Sequence, residues 1–138
     1  MHGLNLYNLF RGLPFELITH NIGNVDSIGN AIFLAGAKRY ATAHSTFMFH
    51  GVGFDLNNPL RLEEKFLRER LDSLMSDQKR IGSIIVERTK ITEDSVSELF
   101  LEAKTKDATF AVSSGIIDEI RDVQIPVGGP VISLVIKR

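Results

Sequence analysis

Apolar side chains recur close to helical spacing over the first thirteen residues, at Leu4, Leu6, Tyr7, Leu9, Phe10 and Leu13. Gly12 and Pro14 end that predicted helix. Phe15 to Ile22 is short and rich in branched residues, which predicts a strand broken by Gly23-Asn24. Ile28 to Ala37 is an apolar helical run closed by Gly36 and Lys38. Tyr40-Ala41-Thr42 and Thr46 to His50 predict two more short strands. The second is almost wholly apolar, as a strand buried on both faces would be.

From Pro59 charged and apolar positions alternate to about Arg88, with no glycine before Gly82. Leu67, Leu71, Leu74, Ile81 and Ile85 form a stripe interrupted where Gln78 occupies the repeat position. The pattern predicts one long amphipathic helix over about 59–88. It serves either as a core helix or as an arm packed against another subunit, and the residues leave both open. Thr92 has the place of an N-cap, with Ile91 and Val96 as a hydrophobic staple around it. Asp107 is placed to cap a short helix, Ala108 to Ser114, which Gly115 closes. After the turn-rich Pro126 to Pro130, residues of about 131–137 predict a tail strand. Strand and helix alternate without repeats or a linker, so the expectation is one α/β domain over residues 1–138 with a mostly parallel sheet.

Composition narrows the chemistry. The 138 residues are 43% hydrophobic, enough for a sizeable core. Sixteen Lys and Arg against 17 Asp and Glu leave a formal charge of −1, without the basic excess of a nucleic-acid binder. No apolar run approaches the roughly 18 residues that span a bilayer. The absence of cysteine excludes disulfides and a thiolate nucleophile, and suits a reducing, cytoplasmic compartment.

Two places join reactive side chains to suitable backbone. Ser27, in Gly23-Asn24-Val25-Asp26-Ser27-Ile28-Gly29, stands at a strand-to-helix turn where free N–H groups favour negative charge. The N–H of Ile28 is then placed to hold the oxyanion formed when Ser27 attacks a carbonyl. Gly29 removes a side chain where substrate or backbone must pass closely. His50 ends an apolar strand before Gly51-Val52-Gly53, a common address for a general base. Each also has a plainer role, Ser27 as an N-cap and His50 as a hydrogen-bonded strand-end residue. His20 and His44 have no carboxylate spacing that makes a metal site. The Gly-Gly of Pro126 to Pro130 lacks the lysine and context of a phosphate loop.

Three segments together resemble the Clp protease proteolytic subunit. They are Asn24-Val25-Asp26-Ser27-Ile28-Gly29, Leu34-Ala35-Gly36-Ala37-Lys38-Arg39-Tyr40-Ala41 and Ser45-Thr46-Phe47-Met48-Phe49-His50. Ala111 to Asp118 resembles that family's C-terminal signature, and the likeness runs from about Gly3 to Ile120. The resemblance implies a crotonase-like spiral of strands and helices, with the long helix as a protruding handle between rings. It implies a serine peptidase that needs no cofactor or metal, with Ser27 as nucleophile, His50 as base and the Ile28 N–H in the oxyanion hole. Its implied partners are peptide or unfolded-protein substrates, further copies in a ring, and an ATPase unfoldase.

The departures open alternatives. Threading back from Gly115 puts the family's triad aspartate on Ala103, so the third member is absent or supplied by another residue, by Glu102 beside it or by Asp107 if the register slips. Asp26 stands where the family has a small residue. Met1 to Tyr7 resembles the helix that follows the family's Gly-Gly oxyanion loop, so that loop and the first strands, with half of the expected oxyanion hole, are read as missing from this chain. Besides an active peptidase, the residues allow a catalytically impaired ring subunit. They also allow a crotonase-type acyl-CoA enzyme, which the serine-to-histidine step fits poorly.

Overall fold

The computed structural model describes residues 2–53, 63–125, 127–130 and 132–133. The opening periodicity becomes α1 (His2–Arg11), which buries Leu4 and Tyr7. Five short elements follow it: β1 (Ile18–Asn21), β2 (Asn24–Asp26), α2 (Gly29–Phe33), β3 (Lys38–Ala41) and β4 (Thr46–Met48). The long helix α3 runs over Glu64–Arg88, and α4 (Glu93–Glu102), β5 (Thr105–Asp107), α5 (Ala108–Ser113) and β6 (Glu119–Ile120) complete the order.

The strands form two small sheets rather than one. In the first, β3 lies between β1 and β6 and all three are parallel, with Ile18 level with Lys38 and Tyr40 level with Glu119. In the second, β4 pairs in parallel with β2 and antiparallel with β5, so that Met48 faces Asp26 on one side and Thr105 on the other. The α/β expectation stands, with one antiparallel pair inside the second sheet. The strands β2, β5 and β6 were not legible in the periodicity. They are two or three residues long and mostly polar, so their ladders exist only because a neighbouring strand supplies partners.

The core joins both sheets to the helices. Phe47 and Phe49 of the apolar strand segment are fully buried with Leu34, Ile85, Ile116 and Ile117, and Phe33 meets Phe47 edge to face at 5.4 Å. Arg39 is buried beside them. Its guanidinium donates to the Gly115 carbonyl at 3.1 Å, and its backbone N–H donates to the Asp118 carboxylate at 2.8 Å. Burial, reinforced by Arg88, pulls the Arg39 pKa below its usual value.

The predicted caps are present: the Thr92 hydroxyl accepts from the Ser95 N–H, and the Asp107 carboxylate accepts from the Phe110 N–H. Ile91 and Val96 are both buried around the first of these, as a staple requires.

The stripe on α3 divides. Ile81, Ile84 and Ile85 enter the core, whereas Leu67, Leu71 and Met75 stay 47%, 55% and 62% exposed. A single helix thus packs one end and presents apolar surface at the other. No helix among the described residues is long and apolar enough to cross a membrane. Residues 59–62, where the helix was expected to begin, lie outside the described residues, as does nearly all of the predicted tail strand at 131–137.

Candidate functional site

Ser27 follows β2 directly and precedes α2, and its backbone has φ of +55°. A left-handed conformation at a residue with a Cβ is uncommon and mildly strained, so neighbours must hold it. The Ser27 N–H donates to the Met48 carbonyl at 2.9 Å, and the Ser27 carbonyl accepts from the Asn30 N–H at 3.1 Å. Ile28 occupies the N-cap of α2, and no side chain caps that helix. The plainer reading of Ser27 as an N-cap is therefore not what the structure contains. Gly29 is less special than its sequence position suggests, because an added Cβ would meet only Val25 Cγ1, at 3.6 Å. The unusual backbone of this turn falls on the serine itself.

Ser27, Ile28 and His50 line one cleft of about 390 Å³, together with Gly51, Ile85 and Phe100. Phe49, just before His50, is fully buried and anchors the end of the strand segment. His50 itself is exposed, with Nδ1 2.7 Å from the Gly51 carbonyl. When Nδ1 carries the proton it donates to that carbonyl, which leaves the Nε2 lone pair to take a proton. Gly51 is held in turn, its N–H donating to the Phe100 carbonyl at 3.2 Å. On the other flank Gly3 of α1 lies against Ile28, and a Cβ at Gly3 would collide with Ile28 Cγ1.

The carboxylates considered as a third member are engaged elsewhere. Glu102 is exposed and accepts from Lys106 Nζ at 2.7 Å, and that ammonium holds its pKa below the ordinary value. It borders a separate pocket with Lys90, Thr92 and Phe110. Asp107 caps α5 and stands opposite Thr46. The β4–β5 register pairs Thr46 with Asp107, Phe47 with Lys106 and Met48 with Thr105, and it ends there, before His50 and Ala103. Ala103 is the left-handed C-cap of α4, with φ of +50°. Asp26 is exposed and accepts from Asn24 Nδ2 at 3.0 Å, and it is not among the residues that line the cleft.

His20 serves the other sheet, with Nε2 3.0 Å from the Arg121 carbonyl and its ring edge-on to Tyr40. Sequence reasoning overlooked Asn30, which is 1% exposed and donates from Nδ2 to the carbonyls of Ser27 and Met48. Its signal was a lone amide inside the apolar run of residues 28–37.

The family model described as Clp protease matches residues 1–124. The chain is 30% identical over 130 residues to the ATP-dependent Clp protease proteolytic subunit 1 of Chlamydia felis, covering 86% of this chain and 57% of that one. It is 29% identical over 130 residues to subunit 2 of Chlamydia trachomatis serovar D, with the same coverage. It is 26% identical over 133 residues to subunit 1 of Leifsonia xyli, covering 92% of this chain and 64% of that protein. The chain thus spans 57% to 64% of the length of these relatives. With the match running from residue 1 to residue 124, the chain belongs to the Clp protease family.

Proposed function

We propose that this chain is a serine peptidase subunit that hydrolyses peptide bonds through an acyl-enzyme on Ser27. The observation that carries the reading is that Ser27, on a strained strand-to-helix turn, lines the same cleft as His50. In the first step Ser27 Oγ attacks the peptide carbonyl while His50 Nε2 takes its proton. The Ile28 N–H donates to the oxyanion. His50 then returns the proton to the leaving amine, and a water activated by the same imidazole hydrolyses the ester. The Gly51 carbonyl holds Nδ1–H as a triad carboxylate would, but it brings no charge to stabilise imidazolium.

A second reading, an impaired subunit that serves assembly, is favoured by Ala103. The position that the resemblance gives to the triad aspartate holds no carboxylate, and Glu102 and Asp107 are paired elsewhere. In either reading the exposed half of α3 is the handle of a crotonase-like spiral and packs against other copies in a ring. Unfolded polypeptide delivered by an ATPase in the cytoplasm is the proposed substrate, since proteins named as subunits of an ATP-dependent protease are its relatives.

Labelling with a serine-directed fluorophosphonate, followed by intact mass, tests the choice. One adduct on the wild type, lost in Ser27→Ala, is the expected result for the peptidase. A folded, oligomeric wild type that takes no label favours the assembly subunit.

A further inference from the structure

Asn30 is a buried amide in the first turn of α2, three residues beyond Ser27. Its Nδ2 donates to the Ser27 carbonyl at 3.1 Å and to the Met48 carbonyl at 2.8 Å. Neither carbonyl needs that amide to be satisfied, because Ser27 O also accepts from the Asn30 N–H and Met48 O also accepts from the Ser27 N–H. Asn30 Oδ1 is meanwhile buried with no hydrogen-bond partner among the described residues. A buried acceptor without a partner costs stability, and an alanine here would remove it without orphaning either carbonyl. Stability alone gives this amide little reason to be present.

Geometry gives it one. Nδ2 ties the carbonyl of the residue in the left-handed conformation to the carbonyl of a strand residue two positions before His50. The peptide units that set the Ser27 side-chain direction and the strand that carries His50 are thereby held in one frame. We propose that Asn30 is a positioning residue that clamps the Ser27 turn onto β4, fixing the nucleophile relative to the base. The inference rests on the serine-peptidase reading for its catalytic consequence, but the clamp itself has a separate readout.

The test uses the full chain as wild type, Asn30→Ala, Asn30→Ser and, as a remote core control, Ile117→Val. Two quantities are measured, amide hydrogen exchange at Ser27 by NMR and the rate of fluorophosphonate labelling. In Asn30→Ala, exchange at Ser27 is expected to rise on the order of tenfold relative to the β1–β3 ladder, with a melting temperature close to that of the wild type. Labelling is expected to slow about ten- to a hundredfold, as a misplacement of the nucleophile approaching about 1 Å does. Asn30→Ser keeps one donor and should fall between, and it decides the matter should the alanine variant fail to fold. Ile117→Val should leave both ratios unchanged. Wild-type exchange at Ser27 in the folded variants overturns the clamp, and unchanged labelling with faster exchange overturns its positioning role. If the wild type takes no label, the peptidase reading fails by itself, and the exchange ratio still decides whether Asn30 clamps the turn.

Discussion

The Ser27 N–H donates to the Met48 carbonyl at 2.9 Å, joining the serine turn to the strand that ends two residues before His50. This bond crosses from one strand to its parallel neighbour, so residues 23 positions apart in sequence become walls of one cleft. The chemistry proposed for the chain depends on that crossing, because neither side chain is unusual on its own.

The strain at Ser27 is measurable. Replacing a left-handed serine with glycine relieves the Cβ clash, so Ser27→Gly should be more stable than Ser27→Ala by about 1 kcal/mol. Urea unfolding of the two variants checks it. Equal stabilities would mean that the turn relaxes without cost.

Placing a carboxylate at Ala103, where the resemblance expects the triad aspartate, should speed the proposed nucleophile. Ala103→Asp is expected to raise the fluorophosphonate labelling rate at least about tenfold, given how much a triad carboxylate contributes. Aspartate tolerates the left-handed conformation at this cap better than most residues, so the fold should survive the change. A rate equal to that of the wild type would show that the Gly51 carbonyl already supplies all the orientation His50 uses.

A Cβ at Gly3 of α1 would collide with the side chain of Ile28, the proposed oxyanion donor. Gly3→Ala should push Ile28 aside and cost about 1–3 kcal/mol, with slower labelling of Ser27. Thermal unfolding and labelling rates measured together check this. Loss of stability without loss of labelling would separate α1 packing from the site.

The exposed pair Glu102–Lys106 gives a pH test whose sign is fixed. Hydrogen bonding and attraction from Lys106 lower the Glu102 pKa, so the pair stabilises the fold above the unfolded carboxylate range. That contribution disappears as pH falls through the folded value. In Lys106→Met the Glu102 carboxyl should titrate at a higher pH in NMR, with little change in stability at neutral pH because the pair is solvent-screened. An unchanged midpoint would remove Lys106 as the cause.

The divided stripe of α3 predicts assembly through its exposed half. Leu71→Glu combined with Leu74→Glu should lower the molar mass measured by light scattering while the core end, Ile81 and Ile85, keeps the subunit folded. Unchanged mass would reject this face as an assembly element.

Much of the site was readable from residue order alone. Turn residues around Ser27, the apolar run before His50, the cap at Asp107 and the staple at Thr92 are local features, and local sterics and hydrogen bonding suffice to form them. The long helix was equally plain, since its period is carried by many residues, but which half of the stripe would be buried was not. The three polar strands left no pattern, because their stability comes from pairing partners distant in sequence.

The sequence by itself determined the helices, the apolar strands and the candidate serine and histidine, since each is written in short-range periodicity or in a motif a few residues long. Only the tertiary structure decided that Ser27 takes the left-handed strain, that Asn30 bridges it to Met48, and that Asp107 comes level with Thr46. Those relationships arise when parallel and antiparallel ladders bring separate segments into register. Register is set by which face of each strand is buried and by the turns between strands, so it is decided only when the segments pack together.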